Sequence, residues 1–155
     1  MSRDVRIRLA ESQDIDAILP LFTAYRVFYG LEPRTADSWA YLAARLADGS
    51  AMVLLAEDEE GEGLGLVLMY PGFDSLALAP SWLLSDLFVE PEARGHGIAL
   101  ALMQAAHALA AERGAGSMLL ETAHDNLAAQ ALYRKLGYVR DSVFGRYALK
   151  LARTD

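Results

Sequence analysis

One stretch constrains the fold more than any other, and it runs from Trp82 to Thr122. It opens on the apolar run WLLSDLFV and passes Pro91. It then reaches a turn holding Gly95 and Gly97, continues through an alanine-rich segment, and closes on a second apolar run, SMLLET. Strand, helix and strand in succession form a crossover unit, so the two strands lie parallel and the connection is right-handed. A strand this apolar belongs inside a sheet, covered on both faces.

The elements before it are of another kind. Val5 to Leu9 alternates charged and apolar residues and reads as a strand, not as the apolar centre of a signal peptide. SQDIDAILPLFTAYRVFYG repeats apolar residues at helical spacing, with Ser12 and Asp14 as capping candidates and Pro20 marking a kink or an early helix start. TADSWAYLAARLADG reads as a second helix stopped by Gly49. SAMVLLAED and GLGLVLMY flank an acidic turn and read as a hairpin, and PGFDSLALAPS reads as a loop. The third helix is expected from about Gly97 to Arg113, burying Ile98, Ala101, Leu102, Ala105 and Leu109, with His107 on its polar side beside Gln104. DNLAAQALYRKLG reads as a capped helix ending at Gly137, and YVRDSVFGRYALKL as one or two strands. The sheet is therefore mixed, in one α/β (α+β) domain spanning 1–155, with no repeat or linker.

Composition narrows the function. With no cysteine among 155 residues, a thiol nucleophile, a disulfide and a thiolate metal site are excluded. His96, His107 and His124 are too scattered for metal-ligand spacing, so no metal is expected. Net charge is −7, which argues against nucleic acid, and no apolar run is long enough to span a membrane. The cytoplasm is the expected compartment. The charge is uneven: −9 over residues 1–90 and +2 over 91–155. That division suits an anionic cofactor and a cationic substrate, although acidic loops such as EDEEGEG can serve solubility alone.

The glycine turn is neither of the common nucleotide loops. Counted from Gly95, Leu100 stands where a dinucleotide fingerprint needs glycine or alanine, which disfavours an NAD-type oxidoreductase. No Lys-Ser or Lys-Thr follows, so a phosphate loop of that type fails too. A glycine turn opening a helix still presents free N–H groups and the positive end of the helix dipole, and Arg94 adds a fixed charge. The spelling from Arg94 to Ala99, RGHGIA, resembles the pyrophosphate loop of the GCN5-related N-acetyltransferases. The preceding LSDLFVEPEARG, the later NLAAQALYRKLGY and the element order extend the resemblance over nearly the whole chain. The tyrosine-rich first helix, Tyr70-Pro71 and Trp82 before Asp86 are similar to a bacterial subgroup often labelled histone-acetyltransferase-like.

The resemblance implies a single mixed, mostly antiparallel twisted sheet with a splayed central parallel pair, flanked by about four helices. It implies acetyl-CoA as donor, an amine acceptor and a homodimer. The amides of Arg94, Gly95, His96, Gly97, Ile98 and Ala99 would hold the pyrophosphate. Free backbone groups of Leu87, Phe88 and Val89 would pair with the pantetheine arm, with the Phe88 N–H polarising the thioester carbonyl. Tyr133 would protonate the leaving thiolate, although its spacing alone equally fits core packing. Asn126 would bond the cofactor arm or cap its helix, a role open also to Asp125. Without cysteine, direct attack by the amine in a ternary complex is the simplest route. Asp86, Glu121 or a water chain would take the amine's proton. Tyr25, Tyr29, Tyr70, Trp82 and Tyr147, with Asp86, are candidates to line the acceptor pocket, since aromatics beside acids suit a cation. The acceptor is a small amine, an amino acid or a protein amine. The competing reading is a cofactor-binding regulatory module without turnover.

Overall fold

The computed structural model describes residues 4–153. Backbone contacts divide the chain into two units, Met1–Glu121 and Thr122–Asp155. The first holds β1 (Arg6–Leu9), α1 (Ile15–Phe28), α2 (Thr35–Asp48), β2 (Met52–Glu57), β3 (Gly63–Asp74), β4 (Ala79–Val89), α3 (Ile98–Glu112) and β5 (Ser117–Leu120); the second holds α4 (Leu127–Lys135). The strands form one sheet in the order β1-β2-β3-β4-β5. Neighbours are antiparallel except β4 and β5, which are parallel, as the crossover requires. This is the mixed α/β arrangement expected from the sequence.

Each face of the sheet has its own core. On one, Ile18 and Leu21 of α1 and Leu42 of α2 pack with Val53, Leu55, Leu66, Leu68 and Phe88. On the other lies α3, burying Ile98, Leu102, Met103, Ala106 and Ala110. Ala101, Ala105 and Leu109, expected on that stripe, are only half-buried, so the helix is turned by about one residue. Alanine on every side of α3 leaves the apolar contrast too weak to fix its rotation. His107, expected on the surface, is half-buried, and burial lowers its pKa. Pro20 lies within α1, which continues through it to Phe28.

Two further expectations are corrected. PGFDSLALAPS is not a loop: β3 runs on to Asp74, β4 begins at Ala79, and only 75–78 turn. Both prolines fit because their missing N–H groups face places without a strand. Pro71 lies beyond Met69, the last β3 residue paired with β2, and Pro80 precedes Ser81, the first β4 residue paired with β5. The second correction is that residues 138–153 carry no strand. Asp141 takes the N–H groups of Val143 and Phe144 into a turn.

The acidic stretch EDEEGEG begins on a structural residue, the last of β2. Glu57 is 2% exposed and accepts hydrogen bonds from Arg6 and Arg8, while Arg8 also pairs with Asp14 at 2.8 and 2.9 Å. These guanidinium bonds hold both carboxyl groups below the usual carboxylate range.

Candidate active site

β4 is the origin of the site. Its pairing with β5 runs from Ser81 to Leu84 and stops there, while its pairing with β3 continues to Val89. At that same point the β3 register slips: Leu84 stands opposite Met69 and Asp86 opposite Leu68, which leaves Ser85 as an extra residue. This is a β-bulge, and it exchanges the faces and edges to which successive residues point.

The exchange decides which backbone groups are free. Glu90 N–H donates to the Leu64 carbonyl at 2.8 Å, so Glu90 and Leu64 form a hydrogen-bonded pair. Such pairs alternate, which makes Phe88–Leu66 and Asp86–Leu68 bonded pairs as well. Phe88 therefore spends its N–H and carbonyl on β3. The groups facing the open edge belong to Leu87 and Val89. The expectation that Phe88 donates to a thioester is corrected for this reason. Spacing along β4 could not reveal it, since the bulge shifts the parity.

Beyond β4 a short 3-10 turn, Pro91–Ala93, leads into the glycine turn. Gly95 and Gly97 have φ of +82° and +78°, a region that disfavours any side chain. Gly97 is the N-cap of α3 and supplies no side-chain cap, so the first-turn amides of Ile98 and Ala99 point outward without a capping partner. A Cβ at Gly95 or Gly97 would meet nothing within 4 Å, so space lies open in front of the turn. The Arg94 amide is not part of this set, because it donates to the Pro91 carbonyl at 3.3 Å. The Arg94 side chain turns back: its Nε donates to the Val89 carbonyl at 2.9 Å, and its guanidinium lies over the rings of Phe28 and Phe88. His96 is exposed, with Nδ1 3.2 Å from the Ala93 carbonyl. The turn and the open edge of β4 fit an anionic, extended ligand: amides and a helix dipole for the anion, an unpaired strand edge for the arm.

On the α1 and α2 face, Asp86 and Phe88 are joined by the aromatic residues of α1. The Tyr25 ring meets Tyr29 at 5.0 Å and Phe88 at 5.9 Å, and Phe28 meets Tyr29 at 5.4 Å. The pKa of Tyr25 is raised, first by burial and then by the nearby Asp86 charge. Tyr70 bonds the Tyr41 hydroxyl, and Arg45 lies over the Tyr41 ring. Burial, then the bond to Tyr41, raises Tyr70 as well, with a smaller contribution from Asp86. Asp86, Tyr25, Tyr29 and Tyr70 are thus brought to one face. Trp82 is not. It stands opposite Pro71, one step from Tyr70, and so is buried on the α3 face. Phe28 and Tyr41 went unread in the sequence; the Tyr25, Phe28, Tyr29 spacing of three and four residues was the available signal for the first.

Glu121 follows β5 directly and is exposed. In the second unit the Asn126 side chain caps α4, accepting from the Ala129 N–H at 3.2 Å, so Asp125 is not the cap. Tyr133 lies on α4 with its ring 5.9 Å from that of Tyr138, whose pKa is pushed up to about 12 by burial and then by Tyr133. His124 Nδ1 is 3.5 Å from Arg140, and Tyr147 is 98% exposed. Among the described residues no group of three His, Cys, Asp or Glu could hold a metal ion, and no helix is long and apolar enough to cross a membrane.

Comparison with known proteins agrees with this architecture. A crystal structure of a probable acetyltransferase superposes with a TM-score of 0.89 at 37% identity, covering 96% of this chain and 99% of that one. An uncharacterized N-acetyltransferase, YhfO, of Bacillus subtilis is 39% identical over 147 residues, 95% of this chain and 98% of its own. A predicted acetyltransferase from Clostridium acetobutylicum, solved with acetyl-CoA, shares the fold at a TM-score of 0.76 and 18% identity, over 94% of this chain and 96% of its own. The model of the Acetyltransferase (GNAT) family matches residues 16–138, and the chain, an acetyltransferase, belongs to that family.

Proposed function

We propose that the chain transfers an acetyl group from acetyl-CoA to a primary amine, by direct attack in a ternary complex, with both units acting as one catalytic domain over 1–155. The observation that carries this reading is the coincidence, at the end of β4, of an open strand edge with an uncapped glycine turn. Acetyl-CoA supplies the activated acetyl group. The amides of Gly95, His96, Gly97, Ile98 and Ala99 bind its pyrophosphate, and the open edge, the backbone groups of Leu87 and the N–H of Val89, pairs with its pantetheine arm. An N–H on that edge stabilises negative charge on the carbonyl oxygen as the carbon–sulfur bond gives way to a carbon–nitrogen bond. A protonated alkyl amine has a pKa near 10.4, so it must lose a proton before it attacks. Asp86 accepts that proton, and the Tyr133 hydroxyl gives one to the leaving thiolate. The proposed assembly is a homodimer in the cytoplasm. Exposed Val139, Phe144, Leu149 and Leu151 are a source of interface, and the mass in solution tests it.

A thermal melt with and without acetyl-CoA, with NADH as control, tests the donor. Ligand at 100 times its Kd adds about 2.7 kcal/mol. At this chain length that raises the midpoint by roughly 5–10 °C. A rise with acetyl-CoA alone supports the reading, and no rise removes it. Thiol release with a panel of amines then separates a transferase from a module that binds without turnover.

A further inference from the structure

The aromatic face around Asp86 is more than the proposed reaction needs. Val27, Phe28, Tyr29 and Leu31, at the end of α1 and just beyond it, are 52–63% exposed. Large apolar side chains left together in water beside a functional group mark a binding surface. The rings close on one another: Phe28 meets Phe88 at 6.4 Å, Phe88 meets Tyr25, Tyr25 meets Tyr29 and Tyr29 meets Phe28. Asp86 lies on the Tyr25 side of this cluster, on the same strand face as Phe88. On the Phe28 side, the Arg94 guanidinium lies 5.4 Å from the Phe28 centroid and 5.7 Å from that of Phe88.

These charges limit the ligand. The Asp86 carboxylate on the Tyr25 side attracts one ammonium group, and Tyr29, packed on Tyr25, offers a ring face to that cation. A second cation further along the rings would meet Arg94 instead of an acid. Polyamines and aminoglycosides, which carry several charges, are disfavoured by this repulsion. The surface between the charges is apolar and aromatic, and it gains most from covering an apolar body.

We infer that the acceptor is a singly charged primary amine on an apolar, aromatic body, an arylalkylamine, with its ammonium at Asp86 and Tyr25 and its ring against Tyr29 and Phe28. This rests on the transferase reading above but is tested apart from it. The 155-residue chain is titrated calorimetrically with 2-phenylethylamine, spermidine, kanamycin and a lysine-containing tetrapeptide, first saturated with CoA and then without it. 2-Phenylethylamine is expected to bind about tenfold more tightly than the other three, with Tyr29→Ala weakening it about fivefold and Asp86→Asn about tenfold. Equal or tighter binding of spermidine, kanamycin or the peptide overturns the inference. So does an unchanged 2-phenylethylamine affinity in Tyr29→Ala, a variant at an exposed position where folding is not at stake. Failure to bind CoA sinks the transferase reading alone, since the titration without CoA still reports on the aromatic surface.

Discussion

A Cβ added to Gly65 would stand 2.8 Å from the Phe88 carbonyl oxygen. That oxygen belongs to a ladder pair and is backbone, so it cannot swing aside. Gly65→Ala is expected to destabilise the chain by about 1–3 kcal/mol, read as a lower midpoint in a denaturant melt. Tyr133→Phe removes one hydroxyl on α4. If that group is the acid, kcat falls by about a hundredfold while acetyl-CoA still binds with its original Kd, as single-turnover and binding measurements would show. At this scale the sequence revealed side chains better than backbone. The register of β4 puts Asp86 and Phe88 on one face. The donor N–H was placed on Phe88 by resemblance alone, and whether a backbone group is bonded depends on the partner strand. Asn126 as the cap of α4 was one of two readings, and the Ala129 N–H decided between them.

Elements were legible where their chemistry is local. Gly49 ends α2 in the left-handed conformation, and Gly97 opens α3 in it. The crossover followed from order alone. The extension of β3 and β4 was not legible, because Pro71 and Pro80 are tolerated only where the neighbouring strands have ended. The bulge at Ser85 was equally hidden, since nothing in LLSDLF distinguishes an inserted residue. Deleting Ser85 tests its role. Leu84 and Asp86 then become neighbours and still fall on opposite faces, as Met69 and Leu68 across from them do, so no buried side chain has to turn. The deletion is therefore expected to keep the fold, costing no more than about 3 kcal/mol in a thermal melt, and Ser85→Ala, at an exposed position, should stay within about 0.5 kcal/mol.

For the molecule as a whole, pH is the informative variable. Asp14 and Glu57 bind protons more weakly folded than unfolded, so their stabilisation is fully present above about pH 5 and is lost as pH falls through the carboxylate range. Glu57→Gln should lower stability at pH 7 by about 2–3 kcal/mol, less than for a fully buried pair because Arg6 is exposed. It should also flatten the acid side of the stability curve, which melts between pH 3 and 7 would show. The one or two strands expected over 138–151 were misread because apolar residues there suggested a ladder, while Asp141 draws the Val143 and Phe144 N–H groups into a turn.

The bulge also leaves a signature in genetics. In a library of all single substitutions, the positions of β4 that reject polar residues should follow even numbers up to Leu84. Beyond Ser85 the rhythm should break, with Leu87 and Val89 sensitive on the α3 face and Phe88 on the other. A uniform rhythm from Ala79 to Val89 would mean that the living protein folds this strand without its extra residue. A change of phase at one position would let the abundance of folded variants alone locate the point where β4 leaves its parallel neighbour.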